Sequence, residues 1–189
     1  MGTVFERKTS ETEIFCEWDA EVDRSEINIP CGFLCHMLDL FCFHAGIRVI
    51  IRGKGDLQVD YHHLVEDLGI VLGKAFYAKI YQNPNSRYGW SVLPMDGSLV
   101  LSSVDISGRS SLSWKINFPA QKCGDFDLEL VEEFWKAFSR ESRTTVHFVQ
   151  LSCDNSHHLC EALFKSAGRS FALAMKPSEE IRSTKGILL

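Results

Sequence analysis

The apolar and polar positions in the first half of the chain predict strands combined with two helices. Stretches of alternating, β-branched or aromatic residues indicate extended segments, whereas apolar residues three and four positions apart indicate helices. Gly46 follows the first helical run, where a left-handed residue often ends a helix, and Lys54-Gly55 indicates a turn. The predicted strands are residues 3–9, 12–18, 25–29, 48–52 and 56–60, and the predicted helices are residues 33–43 and 62–80.

The second half repeats this order. Its first helix carries one apolar stripe at helical spacing, which includes Val131, Trp135 and Phe138. A shift of 95 residues lays strand 48–52 on residues 143–147 and helix 33–43 on residues 128–138. The predicted strands are residues 91–95, 98–107, 111–118 and 144–152, and the predicted helices are residues 128–139 and 156–175.

The repeated order predicts an internally duplicated α+β fold. Each half-domain is a strands-helix-strand-helix unit, with its sheet outside and the helices of both halves packed between the sheets. The segment from Gln82 to Arg87 contains Asn-Pro-Asn-Ser and is the clearest loop. We therefore predict half-repeats at residues 1–82 and 87–178 and a tail at residues 179–189, all within one compact domain.

The pattern His-His-x-x-Glu opens the last helix of each half. On a helix, the glutamate lies about 40° and the second histidine about 100° round from the first histidine. Adjacent rings therefore point in different directions and serve two metal centres more readily than one. Because such nitrogen and oxygen donors suit divalent ions, the pattern predicts a pair of ions held between the repeats or between subunits. The two copies are His62, His63 and Glu66, and His157, His158 and Glu161.

Composition narrows the class of protein. The net charge is −5 and no long basic run is present, which argues against a nucleic-acid partner. No apolar run reaches the roughly 20 residues of a membrane span, and the N-terminus lacks a signal-peptide core. The seven cysteines are odd in number and include no C-x-x-C pair. We therefore expect a cytoplasmic protein with reduced thiols and no membrane partner.

A series of motifs follows in a fixed order from Arg7 to near Leu188: RxTxET, GFLxHML, GDLxVDxHHxxED, RYG, PMD, DxSGR, VEEF, NSHHxxEAxFK and STKG. In this order they closely resemble the motifs of the imidazoleglycerol-phosphate dehydratase family. The resemblance implies dehydration of imidazole glycerol phosphate to imidazole acetol phosphate in histidine biosynthesis. It implies two Mn²⁺ ions per active site, with other divalent ions possible, and a large homo-oligomer of twenty-four subunits with active sites at subunit contacts.

The resemblance also implies roles for all seven histidines. Whether His36 or His44 is the metal ligand, with the other contacting the substrate, stays open. Glu11 is the candidate general acid/base, and the catalytic set also includes Glu66 and Glu161. The implied metal ligands are His36, His44, His62, His63, Glu66, His147, His157, His158 and Glu161.

The implied substrate is a small phosphorylated imidazole, so the basic residues of the motifs are expected to bind its phosphate. Arginine offers a planar fork to a phosphate, and lysine offers a compact charge. The tail is expected to contribute Ser183 and Lys185 to the substrate site. The full implied substrate-contacting set is Glu11, His36, His44, Arg87, Arg109, Lys165, Ser183 and Lys185.

Four positions depart from the family pattern, and each loses a polar group near the expected site. Weaker support for a ligand can lower metal affinity about 10- to 100-fold. A second interpretation is therefore a non-catalytic or weakly active relative that keeps the metals for assembly or ligand binding. A third, a dinuclear phosphate-ester hydrolase, explains the paired ligands but not the motif order. The departures are Cys35 for Asp, Leu40 for Gln, Leu64 for Thr, and Gly97 for Glu after Asp96.

Overall fold

The computed structural model describes residues 2–19 and 21–178. Its elements follow the predicted order with two exceptions, since the strand predicted at residues 56–60 is absent and a pair of very short strands precedes the third helix. The strands are β1 (Thr3–Lys8), β2 (Thr12–Trp18), β3 (Glu26–Asn28), β4 (Val49–Gly55), β5 (Tyr88–Met95), β6 (Ser98–Asp105), β7 (Ser111–Lys115), β8 (Lys122–Cys123), β9 (Phe126–Asp127) and β10 (Thr145–Ser152). The helices are α1 (Gly32–Ala45), α2 (His62–Ile80), α3 (Glu129–Ser142) and α4 (Ser156–Ala174).

The two four-stranded sheets have the same topology. The first has the order β1-β2-β4-β3 and the second has the order β5-β6-β10-β7. In each sheet the strand before the last helix is antiparallel to one neighbour and parallel to the other. The predicted α+β fold with duplicated halves is therefore confirmed, while the exact limits of the halves stay a prediction.

The four helices lie between the sheets and share one aromatic core. Helix α2 packs against α3, and α1 packs against α4, so both helix pairs cross from one half to the other. Four buried phenylalanines, one taken from each helix, meet at the centre, and all six pairs of these rings have centroids 4.9–5.9 Å apart. Such pairs add about 0.5–1.5 kcal/mol each to the burial of their area. The four are Phe41, Phe76, Phe138 and Phe171.

Two glycines allow the helix pairs to approach closely. A Cβ built on Gly168 of α4 would lie 2.6 Å from the carbonyl oxygen of Phe41 on α1. A Cβ on Gly73 of α2 would lie 2.8 Å from the carbonyl oxygen of Phe138 on α3. Because backbone atoms cannot move aside as a flexible side chain can, both contacts require a residue without a side chain.

The strand predicted at residues 56–60 is wrong. Strand β4 continues through Lys54 and Gly55, which pair with β2, so the predicted turn is absent there. The chain turns afterwards, where the backbone nitrogen of Val59 donates to the oxygen of Asp56 at 2.8 Å. The alternation that suggested a strand reflects apolar side chains on a surface loop, since Leu57 is 39% and Val59 63% exposed.

The remaining expectations about environment concern thiols and membranes. All seven cysteines are free thiols. Within the described ranges, no helix combines the length and the apolarity that crossing a bilayer would need. Gly46 ends α1 in the predicted left-handed conformation, with a φ of 69°.

We expect Gly168→Ala to lower the free energy of unfolding by about 1–3 kcal/mol, because overpacking against backbone exceeds the ~1 kcal/mol gain in helix propensity. Urea unfolding followed by circular dichroism measures this change. Gly32→Ala is the matched control, since nothing lies within 4 Å of its added Cβ. Equal stability of Gly168→Ala and the wild type would show that the α1–α4 contact is not tight.

Candidate functional site

A buried carboxylate near the start of α4 gathers two imidazoles. Glu161 is 7% exposed, and its Oε1 lies 3.1 Å from Nε2 of His157, one turn earlier on the same helix. His36, on α1, approaches the same oxygen with its Nε2 at 3.3 Å. The ligand atoms of these three residues lie within 4.8 Å of one another. The packing of α1 on α4 thus brings together three residues that the sequence placed in the metal set.

Lys165 completes the surroundings of Glu161. Its Nζ donates to Oε2 of Glu161 at 2.5 Å and lies 3.1 Å from Sδ of Met95 on β5. Burial alone would raise the pKa of Glu161, but hydrogen bonds from Lys165 and His36 outweigh it and lower this pKa to about 2. The carboxylate is therefore ionised at neutral pH. Next to it, Cys160 is fully buried, and burial raises the pKa of its thiol well above the ordinary value.

Adjacent histidines in each motif diverge, as the helical wheel predicts. The rings of His157 and His158 are 6.2 Å apart with an interplanar angle of 86°. The rings of His62 and His63 have the same separation and the same angle. His158 faces the loop before α4, where its Nδ1 lies 2.8 Å from Oδ2 of Asp154. This hydrogen bond raises the pKa of His158.

The first motif has different surroundings. His63 faces Asp56, whose two carboxylate oxygens lie 3.0 and 3.1 Å from its Nδ1. Glu66 pairs with Arg140 of α3 at 3.5 Å, and the backbone nitrogen of His62 donates to Asp60. Across the described ranges, the only three donors found converging on one point belong to the second motif and α1. The first motif therefore offers ligands without closing a site of its own.

Glu11 lies beside the first motif, on a turn that hydrogen bonds hold in place. Its Oε2 lies 3.8 Å from Nδ1 of His63. The hydroxyl of Thr9 accepts the backbone N–H groups of Glu11 and Thr12, at 3.1 and 3.0 Å. The hydroxyl of Thr12 donates to the buried carboxylate of Asp67 on α2. The RxTxET motif of this chain thus corresponds to a set of hydrogen bonds that fixes the backbone at Glu11.

The same carboxylate also ties down β1. Arg7 donates from Nε to Oδ1 of Asp67 at 2.6 Å, so Asp67 accepts from both strands that flank the Glu11 turn. Sequence reasoning gave Asp67 no role, although it stands in the motif beside Glu66. A carboxylate directly after Glu66, the last residue of the first motif, was the available signal, but only its burial identifies it as a structural anchor.

The two predicted arginines differ in their availability. Arg87 has a φ of 65°, and its guanidinium donates to both oxygens of Asp105, at 2.7 and 3.2 Å. This pairing raises the pKa of Arg87. Arg109 is exposed, and its backbone oxygen accepts from the hydroxyl of Thr145. Arg87 is thus held in place, whereas the side chain of Arg109 faces solvent.

The remaining predicted residues lie apart from the three converging donors. His147 is exposed on β10, in register with serines of both neighbouring strands. His44, in the last turn of α1, packs against Gly168. Burial, followed by the charges of Lys165 and Arg169, lowers the pKa of His44. Ser183 and Lys185 lie outside the described residues.

The four residues that depart from the family pattern are accommodated by contacts away from His36, His157 and Glu161. The thiol of Cys35 lies 3.4 Å from the backbone oxygen of Ile29. Leu64 is 1% exposed in the core, and Leu40 packs against the core. Gly97 makes room for a neighbour, because a Cβ there would lie 2.8 Å from Cβ of Asp154. A larger residue at position 97 would therefore displace the partner of His158.

Comparisons with known proteins find one family over most of the chain. A family model described as imidazoleglycerol-phosphate dehydratase matches residues 30–171. The imidazoleglycerol-phosphate dehydratase of Staphylococcus saprophyticus is 44% identical over 185 residues, covering 96% of each chain. That of Clostridium novyi is 46% identical over 187 residues, covering 96% of this chain and 95% of the relative.

Solved structures show the same fold. IGPD from Pyrococcus furiosus, in complex with (S)-C348, is similar with a TM-score of 0.86 and 38% identity, covering 96% of this chain and 99% of that chain. Imidazoleglycerol-phosphate dehydratase from Staphylococcus aureus is similar with a TM-score of 0.83 and 37% identity, covering 93% of this chain and 99% of that chain.

The lowered pKa of Glu161 predicts a specific acid sensitivity. Its folded-state pKa of about 2 lies below the ordinary 4.5, so the ionised carboxylate stabilises the fold above pH 4.5 and this contribution is lost as the pH falls toward 2. Glu161→Gln should therefore flatten the pH dependence of the urea midpoint in this range, measured in metal-free buffer. Glu13→Gln, at an exposed carboxylate on β2, is the control. An unchanged slope in Glu161→Gln would contradict the assignment.

Proposed function

The chain belongs to the imidazoleglycerol-phosphate dehydratase family, and we propose that imidazole glycerol phosphate is its own substrate and that the reaction depends on divalent metal. The protein is a dehydratase of histidine biosynthesis. The proposed product is imidazole acetol phosphate, and the proposed compartment is the cytoplasm. The observation that carries the metal dependence is the convergence of His36, His157 and Glu161.

The donor set fits Mn²⁺. Two imidazole nitrogens and a carboxylate oxygen are ligands that first-row divalent ions accept, and Glu161 is ionised at neutral pH. When bound, the ion supplies Lewis acidity toward the imidazole ring of the substrate. His36, His157 and Glu161 would hold one ion. The ligands proposed for the second ion are His62, His63, Glu66, His147 and His158, with His44 left to contact the substrate.

Glu11 is the proposed general acid/base. Its carboxylate is exposed on the β1–β2 turn, and the hydrogen bonds of Thr9, Thr12 and Asp67 fix its backbone. Loss of one proton from carbon and one hydroxide from the neighbouring carbinol accounts for the water released. A carboxylate held at one place can carry that proton, which contributes about 10²- to 10⁴-fold to a rate. Glu66 and Glu161 supply their carboxylates to the metal sets.

The substrate phosphate requires accessible cations. Arg109 is exposed, so its planar guanidinium can donate two parallel hydrogen bonds to a phosphate. Lys165 contacts Glu161 and would place its charge between the metal ligands and the substrate. Arg87, already bound to Asp105, would act at the edge of the site. Ser183 and Lys185 complete the proposed set.

We further propose that the active site forms between subunits of a large homo-oligomer of twenty-four chains. The support is the difference between the two motifs, since the first offers His62, His63 and Glu66 without closing a three-donor group among the described residues. A ligand set left open in one chain can be completed by the ligands of another. Metal bound between chains would then stabilise the assembly by mass action.

Metal-stripped protein should be inactive on imidazole glycerol phosphate and should regain turnover as Mn²⁺ is added. We expect two Mn²⁺ ions to be bound per active site. Stopped assays of imidazole acetol phosphate release and metal analysis of the same samples measure both quantities. A metal-loaded, assembled protein without turnover would instead support the non-catalytic alternative.

Glu11→Gln should lower turnover about 10²- to 10⁴-fold, because it removes the proton-carrying carboxylate, while its Mn²⁺ content stays that of the wild type. Glu13→Gln is the matched control, two residues along the same turn and strand and paired with Lys8 instead. Normal turnover in Glu11→Gln would remove Glu11 from this role.

A further inference from the structure

In each repeat, the second histidine of the motif makes a hydrogen bond to an aspartate that carries no assigned role. Nδ1 of His63 lies 3.0 and 3.1 Å from the two carboxylate oxygens of Asp56. Nδ1 of His158 lies 2.8 Å from Oδ2 of Asp154. In both cases the carboxylate meets the same ring nitrogen and leaves Nε2 on the far side of the ring, where Nε2 of His158 lies 3.6 Å from Oδ2 of Asp96, beyond hydrogen-bond distance.

We infer that Asp56 and Asp154 are equivalent positioning residues that hold His63 and His158 in the Nδ1–H tautomer, with the lone pair of Nε2 directed away for ligation. A carboxylate can only accept, so it requires the proton on Nδ1. A neutral imidazole then has its lone pair on Nε2, the form that binds a metal. The metal part of this inference rests on the proposed function, whereas the tautomer does not.

The equivalence lies in the fold rather than in the sequence spacing. Asp56 lies seven residues before His63, and Asp154 lies four residues before His158. Both aspartates nevertheless stand at equivalent places, Asp56 in the loop that joins β4 to α2 and Asp154 in the loop that joins β10 to α4. Two loops of different length therefore deliver a carboxylate to the same nitrogen, as expected if that contact is required.

A neighbouring amide competes for His158 but not for His63. Nδ2 of Asn155 also lies 2.8 Å from Nδ1 of His158, and as a donor it would require the opposite tautomer. The hydrogen bond to the ionised Asp154 is the stronger one, since charge-assisted bonds are about twice as strong as neutral ones. In the first motif the corresponding loop residue is Asp60, whose side chain has no N–H group. There the Nδ1–H form has no competitor of this kind.

Asp154 is itself held by the turn between β5 and β6. Its Oδ1 accepts from the hydroxyl of Ser98 at 2.6 Å and from the backbone nitrogen of Asn155 at 2.8 Å. Gly97 lies against its Cβ. With Oδ1 occupied by two donors, Oδ2 is left to face the imidazole. The Gly97 departure from the family pattern therefore bears on His158 through this aspartate.

The first test is the tautomer in metal-free protein. Histidine ¹⁵N shifts, measured by solid-state NMR at about pH 9, well above the ordinary imidazole pKa of ~6.5, distinguish Nδ1–H from Nε2–H, and His158→Gln and His63→Gln assign the two signals. We expect Nδ1–H at both rings in the wild type. Asp154→Asn and Asp56→Asn should each shift its own histidine toward Nε2–H, because the new amide can donate to Nδ1.

The second test is Mn²⁺ affinity, measured from the signal of the free ion in electron paramagnetic resonance. Asp154→Asn and Asp56→Asn should each weaken binding about 10- to 100-fold. Asn155→Asp is the matched control, because it copies the loop of the first repeat, keeps an N-cap residue and removes the competing donor. It should preserve both the Nδ1–H tautomer and the affinity.

Three results are decisive. An Nε2–H tautomer at His158 or His63 in the wild type overturns the inference, as does an unchanged tautomer with unchanged affinity in both Asn variants. Wild-type protein that binds no Mn²⁺ removes the proposed metal function, yet the tautomer measurement still supports or overturns the role of the aspartates. If one Asn variant does not fold, the variant in the other repeat supplies the same test.

Discussion

The close packing of α1 on α4 is the contact on which the candidate site depends. Gly168 lets the two backbones meet, and this approach brings His36 to the carboxylate that His157 already faces on α4. If the helices stood farther apart, the carboxylate would face one imidazole instead of two. The same two helices contribute Phe41 and Phe171 to the central aromatic core. The packing of this helix pair therefore determines both the aromatic core and the distances among the three converging donors.

The duplication gives both halves the same arrangement of strands and helices, but the two His-His-x-x-Glu motifs have different surroundings. Glu66 and Glu161 stand at the same position of their motifs, yet Glu66 meets Arg140 whereas Glu161 meets two imidazoles and Lys165. The difference has two sources, since α1 presents His36 where α3 presents Arg140, and Lys165 stands four residues after Glu161 where Ile70 stands four residues after Glu66. What the repeats have retained alike is the divergence of adjacent rings and the aspartate behind the second histidine.

Much of the fold followed from periodicity alone. Helical spacing and strand alternation are local properties, so the four helices, both sheets and the repeated order could be predicted, together with the left-handed cap at Gly46. The error at residues 56–60 shows the limit of this reasoning, since exposed Leu57 and Val59 alternate as a strand would. Pairing across the chain cannot be read from one segment. For that reason the roles of Asp67, Asp56 and Asp154, and the choice of His36 for the Glu161 group, needed the structure.

The burial of Cys160 affects which metal ions the donors at the start of α4 would favour. A thiol binds soft metals as its thiolate, and this one lies beside Glu161 in the sequence. Because its side chain is fully buried and its raised pKa keeps it protonated at neutral pH, it offers no sulfur ligand. The three donors that converge here are two imidazole nitrogens and a carboxylate oxygen. Copper(I) prefers sulfur ligands, so the burial of Cys160 removes one thiolate that could otherwise favour this ion over a harder divalent one.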